Sequence, residues 1–98
     1  MCAPDHIGQR IRAAQADVES AARAVRRLTL EHGSPNRFVA TEVGDEAGLS
    51  PLRVGKAIWA SSFGRLCAER GVAVAVYRDG GYTWVDVKLM WREGEAAE

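Results

Sequence analysis

The residue types that carry out chemistry are sparse in this sequence and are not arranged for catalysis. Only Cys2, Asp5 and His6 fall close together, near a chain end, whereas a zinc site needs three or four ligands held by a rigid scaffold. Asp45 and Glu46 are neighbours on a predicted helix, where consecutive side chains point apart and do not form an acid–base pair. We therefore expect no enzyme, no metal site and no cofactor.

Basic side chains offer a different chemistry, the attraction of anions. The 98-residue chain has 13 basic and 13 acidic residues, so its formal charge is zero. A neutral chain is not expected to coat nucleic acid by bulk attraction. The charges are unevenly distributed, however, because residues 50–78 contain one acid, Glu69, and five basic residues. These are Arg53, Lys56, Arg65, Arg70 and Arg78.

The elements that must position these side chains begin with one long helix, predicted over about residues 5–32. Its apolar and small residues recur with alternating spacings of four and three: Ile7, Ile11, Ala14, Val18, Ala21, Val25 and Leu28. At 1.5 Å per residue the helix is about 40 Å long, more than a domain of this size can bury. Its first half must then project or meet a partner. We favour a homodimer through Ile7, Ile11, Ala14 and Val18; the alternative is that this seam packs on its own domain.

Further along, the pattern predicts smaller elements. A short strand near Arg37 precedes a helix that starts at Thr41, and Ser50-Pro51 opens another after a glycine-containing turn. Two β-branched and aromatic runs around residues 79–81, Asp-Gly-Gly, predict a hairpin. The expected fold is α+β, with a long helix, two shorter helices and a C-terminal hairpin. Residues 1–17 would be a helical extension, 18–89 the domain and 90–98 an acidic mobile tail.

The segment from residue 39 to 58, VATEVGDEAGLSPLRVGKAI, followed by AERGV at 68–72 and the hairpin, resembles the winged helix-turn-helix transcription regulators of prokaryotes. In that family the second helix of the pair enters the major groove of DNA. The resemblance implies sequence-specific binding of double-stranded DNA, with the helix from Ser50 reading bases and the hairpin serving as the wing. It implies the following DNA contacts: Arg37, Thr41, Ser50, Leu52, Arg53, Gly55, Lys56, Arg78 and Tyr82.

One departure from the family pattern lies between Val54 and Gly71, a segment that is longer than the family has. A single helix over 51–70 would carry apolar residues on two opposite sides, with Val54, Ala57 and Ile58 on one and Leu52, Trp59, Phe63 and Leu66 on the other. Either the helix breaks around 61–64, which we favour, or the second side binds a partner. In the latter case Trp59 and Phe63 are partner contacts and the protein is a protein-interaction adaptor.

Location is the last expectation that the sequence supports. The longest apolar stretch without a charge, Val72 to Tyr77, is far shorter than the roughly 20 residues that a bilayer-spanning helix needs. Cys2 and Cys67 lie far apart in different settings, so thiols are expected rather than a disulfide. We therefore expect a cytoplasmic protein with no membrane contact.

Overall fold

Four helices and a three-stranded antiparallel sheet make up the described part of the chain. The structure is a computed structural model that describes residues 5–92, with side chains from Gly8 onwards. Its elements are α1 (Asp5–His32), β1 (Asn36–Val39), α2 (Ala40–Ala47), α3 (Pro51–Ile58), α4 (Phe63–Glu69), β2 (Val72–Asp79) and β3 (Tyr82–Leu89). The predicted α+β class and the predicted span of the long helix are confirmed. The expectation of two shorter helices is wrong, because three follow α1.

The extra helix arises from a break after α3. Trp59 ends α3 in the right-handed helical region, and backbone hydrogen bonds that span only three residues follow: Ala60 N–H donates to Ala57 O at 3.2 Å, and Phe63 N–H donates to Ala60 O at 3.1 Å. This turn reorients the chain, so that Phe63, only 1% exposed, joins Ile58 in one core. The favoured prediction of a helix break is thereby confirmed. The break buries Phe63 and Leu66 of the second predicted apolar side, whereas Leu52 and Trp59 of that side remain exposed. The prediction of Phe63 as a partner contact is therefore wrong.

The long helix α1 lies across the other helices and the sheet. Its buried side chains form much of the core: Val18, Ala21, Ala22, Ala24, Val25 and Leu28. Val18 is 4% exposed and packs within its own domain, so its predicted place in a dimer seam is wrong. Ile11, 53% exposed, and Ala14 lie on the surface, while the side chain of Ile7 lies outside the described residues. Within the described chain, no helix has the length and hydropathy needed to cross a membrane.

The sheet has the strand order β1-β3-β2, so β3 is the central strand. Phe38 of β1 and Val76 of β2 both lie opposite Val85 of β3, on the face that packs against the helices. The β2–β3 turn consists of Gly80 and Gly81, with φ of 62° and 83°. Two consecutive residues with positive φ are the requirement of a type I′ turn, and this fixes the hairpin register.

The end of the sheet differs from the expectation of a tail that is mobile from residue 90. The backbone N–H groups of Met90 and Trp91 donate to Gly71 O at 2.6 and 3.4 Å. These bonds attach the chain after β3 to the turn that precedes β2. A mobile tail therefore does not begin at residue 90, and the rest of the predicted tail, from residue 93, lies outside the described residues.

Candidate functional site

The turn between α2 and α3 determines where the second helix starts. Gly48 ends α2 with φ of +74°, a left-handed conformation that glycine adopts without steric cost. Ser50 then caps α3, because its hydroxyl oxygen accepts a hydrogen bond from the backbone N–H of Arg53 at 3.3 Å. Pro51 occupies the first turn of α3, where its missing N–H costs no hydrogen bond. The capped end of α3 is exposed to solvent.

A groove separates α3 and the start of α2 from the tip of the β2–β3 hairpin. Its volume is about 550 Å³. Six residues predicted as DNA contacts line it: Thr41, Leu52, Gly55, Lys56, Arg78 and Tyr82. The other lining residues are Val39, Ala40, Pro51, Trp59, Gly81 and Thr83. We call this feature the α3–hairpin groove. It brings together residues that are up to 44 positions apart, from Val39 to Thr83.

Two cations of the α3–hairpin groove have no carboxylate partner among residues 5–92. Lys56 on α3 and Arg78 on β2 are both exposed. Neither forms an ion pair with any residue that the structure describes. A cation that is already neutralised must lose its partner before it binds an anion, and these two need not. They are therefore the side chains in the groove best placed to bind phosphate.

Large apolar side chains stand beside these cations. Leu52 is 69% exposed, Trp59 48% and Tyr82 61%. Tyr82 packs its ring edge-on against Trp84, with centroids 6.2 Å apart, so the hairpin tip is partly fixed. We call Leu52, Trp59 and Tyr82 the apolar trio. Exposed apolar residues gathered in one groove, rather than scattered singly, are typical of a binding surface.

Arg53, predicted to read bases, is engaged with Asp17 of α1. Its Nε lies 3.1 Å from Asp17 Oδ2 and its Nη2 lies 2.7 Å from Oδ1, which is a bidentate geometry. The hydrogen bond and the negative charge of Asp17 raise the pKa of Arg53 above its already high ordinary value. Arg53 does not line the α3–hairpin groove. In this structure it joins α3 to α1.

Arg37, the other predicted phosphate contact, lies on the exposed face of the sheet. Its Nε is 3.3 Å from Asp86 Oδ1, and its guanidinium lies over the rings of Tyr77 and Trp84, at 5.6 and 5.1 Å from their centroids. The Tyr77 hydroxyl donates to the same Asp86 oxygen at 2.9 Å. Burial among these neighbours and this hydrogen bond raise the pKa of Tyr77. Arg37 thus belongs to a cluster on the sheet and does not line the groove.

Sequence reasoning missed the two acids that neutralise these arginines, Asp17 and Asp86. They lie 36 and 49 positions from their partners, and no local pattern marks either contact. It also missed Thr83 in the groove. Trp59, predicted as a partner contact, is 48% exposed in the same groove, and that role stays a prediction.

Comparison with known proteins adds no identification. The chain matches no protein-family model, no curated protein and no solved structure. Among the residues that the structure describes, no three or more His, Cys, Asp or Glu side chains form a group that could hold a metal ion. The α3–hairpin groove is the feature that unites most of the predicted site residues.

Proposed function

We propose that this protein is a winged helix-turn-helix domain that binds double-stranded DNA and regulates transcription. The single observation that carries the proposal is the pair of unpartnered cations, Lys56 and Arg78, on opposite sides of the α3–hairpin groove. A duplex is a surface of closely spaced phosphates, and cations from a helix and from a hairpin would contact it at two points.

The arrangement of α2 and α3 supports this proposal. In helix-turn-helix proteins the N-terminal part of the second helix lies in the major groove, and the first helix crosses the backbone. Here the exposed, capped end of α3 carries Ser50 and Leu52, and Gly55 leaves open space beside it. In the complex Leu52 would contact a thymine methyl group, and Ser50 and Thr41 would donate to phosphate oxygens.

The roles of the two engaged arginines follow from their partners. Arg53 uses Nε and Nη2 for Asp17, so within the proposal it mainly holds α3 against α1 rather than reading bases. Arg37 is likewise occupied by Asp86. Lys56 therefore replaces Arg53 as the principal cationic contact of α3.

A homodimer through the first turns of α1 is part of the proposal. Ile11 is 53% exposed and Ala14 is also on the surface, so both remain available to a second copy. A two-fold dimer would place two α3 helices on a pseudo-palindromic site. Sedimentation of the wild type and of Ile11→Glu tests this: a dimer that dissociates in the variant supports it, and a wild-type monomer at all concentrations contradicts it.

The DNA proposal is tested by fluorescence anisotropy with a labelled duplex at several salt concentrations. Lys56→Gln and Arg78→Gln are each expected to weaken binding and to reduce the slope of log K against log salt by about 0.9, the value for one lost phosphate contact. Lys88→Gln is the matched control, because Lys88 is exposed on β3 but does not line the groove. If Lys88→Gln weakens binding as much as Lys56→Gln, the groove is not the DNA interface.

A second candidate function, that of a protein-interaction adaptor, is favoured by the apolar trio. An interface core is rich in aromatic residues and poor in charge, and the exposure of Leu52, Trp59 and Tyr82 fits that description. Selection of duplexes from a random pool at moderate salt separates the two functions. Enrichment of a common site supports the DNA regulator, and no enrichment supports the adaptor.

A further inference from the structure

A second pocket lies where α1 meets α4, and its lining is unusually rich in arginine. It has a volume of about 340 Å³ and is lined by Arg23, Arg26, Arg27, Glu69, Arg70 and Trp91. None of these residues lines the α3–hairpin groove. We call it the arginine pocket. Its volume falls at the lower end of the range for small-ligand sites, about 300–1,000 Å³.

Two of its side chains are held in place by contacts within the chain. The Arg26 guanidinium donates to the backbone carbonyl of Arg70 and lies 5.5 Å from the centroid of the Trp91 ring. Trp91 itself packs closely on Gly71, since a Cβ at Gly71 would lie 2.9 Å from the indole Cδ2. A site whose groups are already ordered loses less conformational entropy when a ligand binds.

The charges around the arginine pocket are only partly balanced. Glu19 is shared between Arg23, at 3.7 Å, and Arg70. Glu69 is directed to Arg65, which does not line the pocket, at 3.2 Å. Arg27 is paired with Glu46 of α2, whose Oε2 lies 2.8 Å from Arg27 Nε, whereas Arg26 has no ion pair among the described residues. Positive charge is therefore concentrated here in a chain whose formal charge is zero.

Clustered like charges repel one another, and a cleft concentrates their field, so an anion in the pocket would be stabilised by several cations at once. Arg23, Arg26 and Arg27 extend from two successive turns of α1, and Arg70 comes from the end of α4. A carboxylate is planar and is satisfied by one guanidinium fork, whereas a phosphate presents oxygens in three dimensions. The convergence from two helices therefore favours a phosphate.

We infer that the arginine pocket binds a compact phosphate-bearing anion at a site separate from the α3–hairpin groove. The phosphate is that of a free small molecule, and the Trp91 ring forms one wall of its site. This inference does not depend on the DNA proposal, because it concerns different residues on different elements.

The test is a titration of isotope-labelled full-length protein with inorganic pyrophosphate at constant ionic strength, followed by NMR at the assigned indole N–H of Trp91. We expect a saturable shift with a Kd of about 1 mM or below. Arg26→Gln is expected to weaken binding about tenfold or more, since it removes hydrogen bonds to a charged group. Arg12→Gln is the matched control, an exposed arginine of α1 outside the pocket. Its affinity should equal that of the wild type.

A second variant keeps the inference falsifiable if Arg26→Gln does not fold. The Arg23 side chain is 52% exposed, so Arg23→Gln should preserve the fold while weakening pyrophosphate binding. Absence of a saturable shift in the wild type would overturn the inference. Equal weakening by Arg12→Gln would also overturn it, because binding would then reflect general charge attraction.

A parallel titration with a DNA duplex distinguishes the source of the phosphate. If the pocket takes a free anion, Arg26→Gln leaves duplex affinity within about twofold of the wild type while Lys56→Gln lowers it. If Arg26→Gln weakens the duplex complex as much as it weakens pyrophosphate binding, the natural phosphate is that of the DNA backbone, and the inferred free ligand is wrong.

Discussion

Two glycines at equivalent positions offer a direct test of how α3 is positioned. Gly44 and Gly55 are each the fifth residue of an eight-residue helix, α2 and α3 respectively. A Cβ at Gly44 would lie 3.0 Å from the carbonyl oxygen of Leu49 and 3.0 Å from Cγ1 of Val54. A Cβ at Gly55 would meet nothing within 4 Å. The two Gly→Ala substitutions therefore share their intrinsic helix effect and differ only in packing.

The expected magnitudes follow from that difference. Alanine in a helix interior is more favourable than glycine by about 1 kcal/mol, so Gly55→Ala should stabilise the protein by up to that amount. At Gly44 the same gain is opposed by overpacking, which typically costs about 1–3 kcal/mol. Val54 is 1% exposed, and the Leu49 backbone is fixed because its N–H donates to Gly44 O at 2.8 Å. Neither residue can therefore move easily to make room for a methyl group at position 44. We expect Gly44→Ala to destabilise by about 1 kcal/mol.

Thermal unfolding followed by circular dichroism measures both effects. For a domain of this size 1 kcal/mol corresponds to about 4–8 °C in Tm, so the variants should shift in opposite directions by that amount. Combining Gly44→Ala with Val54→Ala should cost less than the sum of the single changes, because the shortened side chain leaves room for the methyl group. If Gly44→Ala instead raises Tm as much as Gly55→Ala, the close approach of α2 to α3 is refuted.

The same pair of variants connects stability to function. The methyl group that Gly55→Ala introduces would project into the α3–hairpin groove. This variant should therefore bind the duplex more weakly than the wild type, although it unfolds at a higher temperature. Anisotropy and thermal unfolding on one preparation test this. A variant that is both more stable and equally tight in binding would exclude Gly55 from the interface.

Three further predictions concern single residues. Burial raises the pKa of the Cys67 thiol to about 12, with Arg70 opposing, from an ordinary value of 9.0. The unfolded chain therefore loses the thiol proton at lower pH than the folded chain, so the free energy of unfolding should fall as the pH rises from about 9 towards 12. The urea midpoint measured against pH should show this fall in the wild type, and the part due to the thiol should be missing in Cys67→Ala. Phe63→Ala should destabilise by about 3–5 kcal/mol in urea unfolding, as for a core aromatic, and Trp59→Ala by much less. Asp17→Asn should release Arg53 at the exposed start of α3, tighten duplex binding in anisotropy and steepen the salt slope by about 0.9; an unchanged slope would show that the released Arg53 does not reach a phosphate.

Local patterns predicted the elements whose signals are local. The four-three spacing that ends near Leu28 and the glycine at residue 33 gave the bounds of α1, and the Asp-Gly-Gly turn at 79–81 gave the hairpin. Ser50-Pro51 marked the start of α3 because capping and the proline effect both act within one turn of helix. In each case the residues that specify the element are neighbours in the sequence.

The break between α3 and α4 shows where such reasoning is less decisive. No proline stands between Ile58 and Phe63, and the sequence favours the break because a continuous helix would carry apolar residues on two opposite sides. What favours the break is the burial of Phe63 together with Ile58, which requires the chain to turn after Trp59. The free energy gained by burying Phe63 comes from tertiary packing, and it outweighs the modest preference of a short segment to continue as a helix.

The site shows a similar limit, and it bears on how basic residues should be counted. The sequence treats Arg53 and Lys56 alike, as two cations on one helix, yet in the part of the chain that the structure describes only Arg53 has a carboxylate within reach. That carboxylate, on Asp17, belongs to a helix whose packing against α3 depends on the whole core. A local excess of positive charge therefore predicts that anions are attracted to a region, but the fold decides which cations remain to bind them. In the α3–hairpin groove those are Lys56 and Arg78, and their substitution is the measurement on which the proposed function depends.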